Sequence, residues 1–353
     1  MRRICLVGIG LTLTVLAGCG HMLNRSTAQL KPGPLTYFYD YQLFRSADQQ
    51  LITISQLINE LTSSDIIFIG EIHSHSASHY LQAQILTMLY KNNLQLILSM
   101  EQFERDKQSV VDEYLDSKIG EQTLIAQSRA WPNYVSDYRP LVEFAKAHQI
   151  PVIAANAPEA LVRCIAQKGP EVADALPAPQ RAYLASDLTQ SSVAYQAKFR
   201  QFMTGAGAWH GHGQAAQKQM PHGSHEHGYG EPNGKLSNSF YAQLARDNTM
   251  AESIAKALDA HPNHRVVAIN GAFHSDGWLG TVDALKRLKP HLNIRVLSPS
   301  EREDDALDLA AAAKQGDYIY TIQTMPKRYV QKEHRDRAVR AMIKKRKDFQ
   351  CAW

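Results

Sequence analysis

Two short motifs place a histidine three residues after a glycine, each at the end of an apolar run. Gly70-Glu71-Ile72-His73 follows the run 66–69, and Asn270-Gly271-Ala272-Phe273-His274 follows the run 265–269. A third apolar run, 94–100, leads directly into Glu101. Carboxylates and imidazoles are suited to acid–base chemistry and to binding a divalent metal ion. If the protein is a hydrolase, its predicted catalytic residues are Glu71, His73, Glu101 and His274. The predicted metal ligands are His73, His274 and Glu71, which would leave a coordination position for water.

Six apolar runs alternate with segments that have helical periodicity, and this alternation positions the motifs. The runs predict strands at 65–70, 94–100, 151–155, 265–270, 293–297 and 318–322. Strand–helix alternation predicts an α/β fold with a mostly parallel sheet flanked by helices. Ligands bind such sheets outside the carboxyl ends of the strands. We therefore expect one pocket there, formed by Glu71, His73, His79, Glu101 and His274. The mostly helical stretch 105–203 predicts a helical subdomain or lid over the same ends.

The N-terminus has the pattern of a bacterial lipoprotein signal. Arg2 and Arg3 precede an apolar segment, 4–16, that is too short to span a bilayer comfortably. It ends in Leu16-Ala17-Gly18-Cys19, which is typical of a lipobox. Residues 1–18 are therefore predicted to be a cleaved signal peptide, Cys19 the lipidation site and 19–35 a tether. Gly20 follows the cysteine where aspartate would favour the inner membrane, so we expect a periplasm-facing outer-membrane lipoprotein.

The composition is that of a globular protein and excludes a collagenous or mainly disordered chain. The 353 residues are 44% hydrophobic and 20% charged, and the net charge of +4 gives no reason to expect nucleic acid as a partner.

The segment 36–326 is predicted to be the folded α/β domain, and 327–353 a basic tail. The tail is predicted to contain a helix at 334–347. This helix is either a solvated terminal helix or one that contacts anionic lipid headgroups or an acidic partner. Cys164 and Cys351 can pair in an oxidising compartment, but Cys164 lies in a core-facing helical pattern, so we expect no bond.

The segment 205–234 is rich in glycine and histidine and has almost no aliphatic residues. It cannot bury enough apolar surface to fold alone, so we interpret it as a flexible insertion in the α/β domain. Repeated His-x-His pairs favour weak binding of Zn, Ni or Cu, which leaves a metal-buffering lipoprotein as one alternative. The histidines concerned are His210, His212, His222, His225 and His227.

From about residue 36 to 298 the chain resembles the ChaN-like haem-binding lipoproteins. These belong to a wider superfamily that includes erythromycin-esterase-like and Tiki-type proteins. The resemblance rests on segments that occur in the same order: 66–73, His79 with Gln82, 99–106, 129–132, 138–141, 151–158, 242–243, 246–251 and 270–274. Two features depart from the family pattern, namely Ser78-His79 where two histidines are common and a longer His-rich loop.

The resemblance implies a membrane-anchored protein that binds haem and acts in haem or iron acquisition. It implies a homodimer with two haems stacked at its interface, each iron bound by a tyrosine of one subunit, and it implies contact with components of a haem-uptake transporter. The candidate iron ligands are Tyr134, Tyr138, Tyr195 and Tyr241. We favour a binding role over an enzymatic one. The principal alternative, from the wider superfamily, is a Tiki-like hydrolase that depends on a divalent metal held by the two Gly-x-x-His motifs.

Overall fold

A central sheet of eight strands organises the protein. The computed structural model describes residues 32–204, 236–302 and 308–351. The strands are β1 (Tyr41–Arg45), β2 (Gln50–Ile52), β3 (Ile66–Glu71), β4 (Leu96–Glu104), β5 (Val152–Asn156), β6 (Arg265–Gly271), β7 (Ile294–Arg302) and β8 (Tyr318–Gln323). The helices are α1 (Ile54–Leu61), α2 (Ser76–Lys91), α3 (Gln108–Leu115), α4 (Glu121–Gln127), α5 (Arg139–Ala147), α6 (Glu159–Lys168), α7 (Ala178–Arg181), α8 (Val193–Thr204), α9 (Asn238–Ala260), α10 (Thr281–Leu288), α11 (Leu309–Ala312) and α12 (Lys332–Lys347).

Six of the eight strands are parallel, which confirms the predicted fold class. The strand order is β2-β1-β8-β7-β3-β6-β4-β5, and the antiparallel pairs are β1 with β2 and β1 with β8. Every residue of β3 is buried, as expected for a parallel strand that is covered on both faces. The six predicted strands are present, whereas the pattern did not reveal β1 and β2. These two are short, and the partner that makes β1 a strand, β8, lies more than 270 residues further along the chain.

Two helical layers cover the sheet. Ile67 and Ile69 of β3 pack with α1, α2, α3 and α5 on one face. Ile66 and Phe68 pack with α9 and α10 on the other face. Because successive side chains of a strand point to opposite faces, one apolar run supplies both cores.

The stretch 105–203 forms two connections with a strand between them. Helices α3 to α5 join β4 to β5, and α6 to α8 follow β5. A π-helical turn at Tyr134–Tyr138 brings the first connection against the carboxyl end of β3, where the Tyr138 hydroxyl meets Glu71. Within this mostly helical stretch, the segment 177–185 forms only the four-residue helix α7. Beyond it, the Arg181 guanidinium binds the carbonyl of Ala185 and holds the chain in a turn.

The expectation that Cys164 and Cys351 remain unpaired is wrong. Their sulfurs form a disulfide that joins α6 to the segment after α12, with Cα atoms 5.5 Å apart. Cys164 is buried, as predicted, but burial did not exclude the bond because the C-terminal segment returns to α6. None of the helices in the described ranges is both long and apolar enough to cross a bilayer. The predicted signal peptide, Cys19 and the His-rich insertion lie outside these ranges.

Candidate functional site

Glu71 is the centre of a hydrogen-bonded group at the carboxyl end of β3. Its side chain is fully buried and accepts hydrogen bonds from the Tyr138 hydroxyl at 2.6 Å and from Gln82 Nε2 at 2.7 Å. His73 Nδ1 lies 2.8 Å from the same carboxylate. Tyr138 comes from the π-helical turn and Gln82 from α2, so three separate elements fix this one side chain.

The environment of Glu71 keeps it ionised. Burial alone would raise the pKa of Glu71, but the hydrogen bond with His73 and the charges of His79 and His73 lower it below its usual range. For His73, burial alone would lower the pKa. Its hydrogen bond to Glu71 and the charges of Glu71 and Glu101 outweigh burial, so the pKa of His73 is raised above its usual value. A carboxylate with an imidazole held on it is a standard arrangement for moving a proton.

His73 is the accessible member of this pair. Its side chain is 44% exposed, although Glu71 behind it is inaccessible. With Nδ1 on Glu71, the opposite ring edge faces Gly271 at the end of β6. A Cβ atom built on Gly271 would lie only 2.7 Å from His73 Nε2, so the absence of a side chain there allows this approach. The Trp131 ring packs edge-on against the imidazole, with centroids 5.1 Å apart.

A second group surrounds His274 and contains Glu101. Glu101 accepts a hydrogen bond from the Gly271 backbone N–H at 2.6 Å, and its other oxygen lies 3.4 Å from His274 Nε2. His274 Nδ1 lies 2.7 Å from Asp247 Oδ1. Burial alone would lower the pKa of His274, but the two flanking carboxylates raise it to about 10. His274 is therefore an imidazolium at neutral pH, and its charge and hydrogen bond lower the pKa of Glu101 well below its usual range despite burial.

Asp247 was not among the predicted site residues. It is buried on α9, and its carboxylate also accepts hydrogen bonds from Thr281 Oγ1 at 2.9 Å and from the Tyr195 hydroxyl. A signal for it exists in the sequence. Phe240 and Leu244 mark the buried stripe of α9, and Asp247 continues that stripe at helical spacing. An acidic residue on an apolar stripe indicates a buried partner, because an unpaired buried charge is too costly.

The structure brings together the residues that the strand-end argument predicted to be neighbours. Glu71 ends β3 and His73 follows it, whereas Glu101 lies on β4 and His274 follows β6. The Gly271 backbone lies between the two groups. His79 is buried beside them, 3.1 Å from Gln82 Oε1 and 3.3 Å from Asp137 Oδ2. His75 has a different role, since it caps α2 by accepting from the Ala77 N–H.

The geometry gives no support to the predicted metal site. Among the described residues, no group of three or more His, Cys, Asp or Glu side chains is arranged to hold a metal ion. His73 is hydrogen-bonded to Glu71, whereas His274 lies between Glu101 and Asp247. The two histidines of the predicted metal site therefore contact different carboxylates. The weak metal site predicted in the insertion lies outside the described residues.

Three of the four tyrosines proposed as iron ligands do not fit that role in this conformation. Tyr134, Tyr138 and Tyr195 are at most 1% exposed. Burial, reinforced by the charge of the carboxylate that each contacts, raises the pKa of Tyr138 and of Tyr195 far above the ordinary value. Burial also raises the pKa of Tyr134. These phenols resist conversion to tyrosinate, and a haem cannot reach them. Tyr241 is partly exposed, although it also packs against two apolar clusters.

Comparison with known proteins places this geometry in a recognised group. A family model described as "Haem-binding uptake, Tiki superfamily, ChaN" matches residues 57–285. The structure is similar to that of ChaN of Campylobacter jejuni with cofacial haem, at 18% identity and a TM-score of 0.57, covering 82% of this chain and 100% of that one. It is also similar to a mutant of the erythromycin esterase EreC in its open conformation, at 12% identity and a TM-score of 0.45, covering 82% and 99%. No curated protein matches the sequence.

Proposed function

The chain belongs to the ChaN family of the Tiki superfamily, and we propose that it binds haem and serves in haem or iron acquisition. The observation that carries this proposal is the family match, which spans 57–285 and includes every strand-end residue of the site. The fold likeness to ChaN of Campylobacter jejuni, whose structure shows cofacial haem, supports it. By the same likeness we propose a dimer with two stacked haems, and a haem-uptake transporter as its partner.

We also propose that the protein is anchored in the outer membrane through Cys19. The support is the lipobox in the sequence. Several acyl chains on one cysteine give stable anchoring because each buried CH₂ contributes about 0.8 kcal/mol. Cys19→Ser should leave the chain unprocessed or unanchored in membrane fractionation. A fully processed variant that stays with the membrane after a wash in 0.5 M NaCl, which removes electrostatic attachment, would contradict the anchor.

The iron ligand must be a tyrosine that a haem can reach. Of the four candidates from the sequence, Tyr241 alone meets this condition. Four described tyrosines outside that set are also exposed, namely Tyr37 (71% exposed), Tyr39 (61%), Tyr80 (47%) and Tyr183 (36%). Haem supplies a ferric iron that binds a phenolate oxygen, and the chain would supply the phenolate and hold the propionates.

Titration of the purified full chain with hemin, followed by absorption spectroscopy, tests this proposal. We expect a saturable Soret shift at one haem per chain and dimerisation that increases with hemin concentration. One Tyr→Phe change among Tyr241, Tyr37, Tyr39, Tyr80 and Tyr183 should abolish the ferric tyrosinate spectrum, whereas the buried control Tyr134→Phe should retain it. The absence of any saturable shift would contradict haem binding.

A second candidate function, hydrolysis, has its own supporting observation. His73 is half-exposed, is oriented by a buried carboxylate, and lies beside a second carboxylate–histidine pair, which is an arrangement able to position and deprotonate water. His73→Ala should abolish cleavage of an activated ester such as p-nitrophenyl acetate and leave hemin binding unchanged. A metal-dependent reaction would be lost on treatment with a chelator, whereas an acid–base reaction would survive it. If His73→Ala retains the wild-type rate, hydrolysis at this site is excluded.

A further inference from the structure

The C-terminal helix α12 is strongly basic and packs weakly against the rest of the chain. It contains eight Lys or Arg residues against Glu333 and Asp336. Every residue described for its side chain is partly or fully exposed. Asp336 pairs with Lys332 at 3.5 Å and with Arg335 at 3.2 Å.

Four other cations of α12 whose side chains are described have no acidic partner in the part of the chain that the structure describes. They are Arg337, Arg340, Lys344 and Lys345, all exposed. Unpaired cations along one short helix create a positive surface that attracts anions within a Debye length, about 10 Å at 0.1 M salt.

Apolar side chains are exposed among these cations. Met342 is 46% exposed and Ile343 is 39% exposed, and Val330, just before the helix, is 89% exposed. A helix that served only as a solvated surface would gain nothing from them. Cations together with exposed apolar side chains suit the boundary between lipid headgroups and acyl chains, where basic residues contact the headgroups and apolar ones insert.

The chain is bonded to α6 just beyond the C-terminal end of the helix, where Cys351 forms the disulfide with Cys164. The carbonyl of Phe349 accepts a hydrogen bond from Gln167 Nε2 at 3.0 Å, and the Arg163 guanidinium lies over the Phe349 ring at 5.5 Å. The C-terminal end of the positive surface is therefore tethered to α6.

We propose that α12 binds the surface of an anionic lipid bilayer. Arg337, Arg340, Lys344 and Lys345 contact the negatively charged headgroups, and Met342 with Ile343 enter the interface. An anionic bilayer fits better than an acidic protein because exposed apolar side chains adjoin the cations. Met342 lies beside Lys345, and Ile343 lies beside Arg340, each at i, i+3 spacing. Such a mixture suits the boundary between headgroups and acyl chains. This interaction is independent of haem binding and provides a second attachment besides an acylated Cys19.

Hydrogen exchange of α12 in the full chain tests the proposal, since this local measurement does not depend on how the N-terminus is attached. Exchange is compared on phosphatidylcholine vesicles and on vesicles that contain 30% phosphatidylglycerol. We expect the α12 amides to exchange at least about tenfold more slowly on the anionic vesicles, and the difference to vanish in 0.5 M NaCl.

The variant Arg337→Gln, Arg340→Gln, Lys344→Gln and Lys345→Gln should lose the protection while keeping its helical circular dichroism. A matched control removes four exposed lysines elsewhere: Lys91→Gln, Lys118→Gln, Lys256→Gln and Lys286→Gln. It loses the same net charge but keeps the cations of α12, so it should retain the protection. Equal exchange on the two vesicle types, as an acidic protein partner would give, overturns the proposal. Equal loss in the control variant overturns it as well, since the effect would then follow net charge alone.

Discussion

Replacing Gly271 with alanine is expected to displace His73 without unfolding the protein. Gly271 has φ −56° and ψ 135°, which alanine adopts without strain. The new Cβ would lie 2.7 Å from His73 Nε2 and 2.8 Å from Cε1, so the ring must move by about 0.7 Å to reach ordinary contact at 3.4 Å. Because Glu71 lies on the other side of the ring, the ring cannot retreat directly and has to rotate towards solvent, which would weaken its 2.8 Å hydrogen bond with Glu71.

The expected result is a lower pKa for His73 with little loss of stability. Its pKa is raised by the bond to Glu71 and by nearby negative charge, so moving the ring away from Glu71 removes part of that effect. Because the side chain is 44% exposed, it can move towards solvent, and we expect the free energy of unfolding to change by about 1 kcal/mol or less.

An NMR titration of the His73 ring protons, assigned by comparison with His73→Ala, measures this pKa, and urea unfolding measures stability. Gly120→Ala is the matched control, because a Cβ at Gly120 meets no atom within 4 Å. It should leave the pKa of His73 unchanged. If the pKa of His73 is the same in Gly271→Ala as in the wild type, or if the variant loses several kcal/mol, the reasoning about this contact is refuted.

Three further predictions concern pH, the disulfide and the buried carboxylate. The folded-state pKa of His274 is raised from 6.5 to about 10, so its contribution to stability is fully present below pH 6.5 and is lost as the pH rises towards 10. Between pH 6.5 and 8 the free energy of unfolding should fall by at most about 2 kcal/mol, and His274→Gln should flatten this slope in urea titrations. Cys351→Ser should lower the free energy of unfolding by about 2–4 kcal/mol, and a reductant should destabilise the wild type but not this variant, because the Cys164 bond closes a loop of 187 residues. Tyr138→Phe should cost about 1–3 kcal/mol by removing a donor from buried Glu71, and a loss below 0.5 kcal/mol would show that the hydroxyl is not needed there.

The sequence determined the main sheet and the position of the site. A parallel strand that is covered on both faces needs an almost continuous apolar run. Such runs identify β3, β4 and β6 in the sequence. Their residues Glu71, Glu101 and His274 are neighbours because the carboxyl ends of parallel strands share one edge.

Only the tertiary structure decided which partner each of these side chains takes. Asp247 reaches His274 because α9 packs across the sheet, and Tyr138 reaches Glu71 through a π-helical turn in a different connection. The Cys164–Cys351 bond joins residues 187 positions apart. Local periodicity reports which face of an element is apolar, but it carries no information about which distant element covers that face. The partners, and with them the pKa values and accessibility of the site residues, are therefore fixed only when the chain packs.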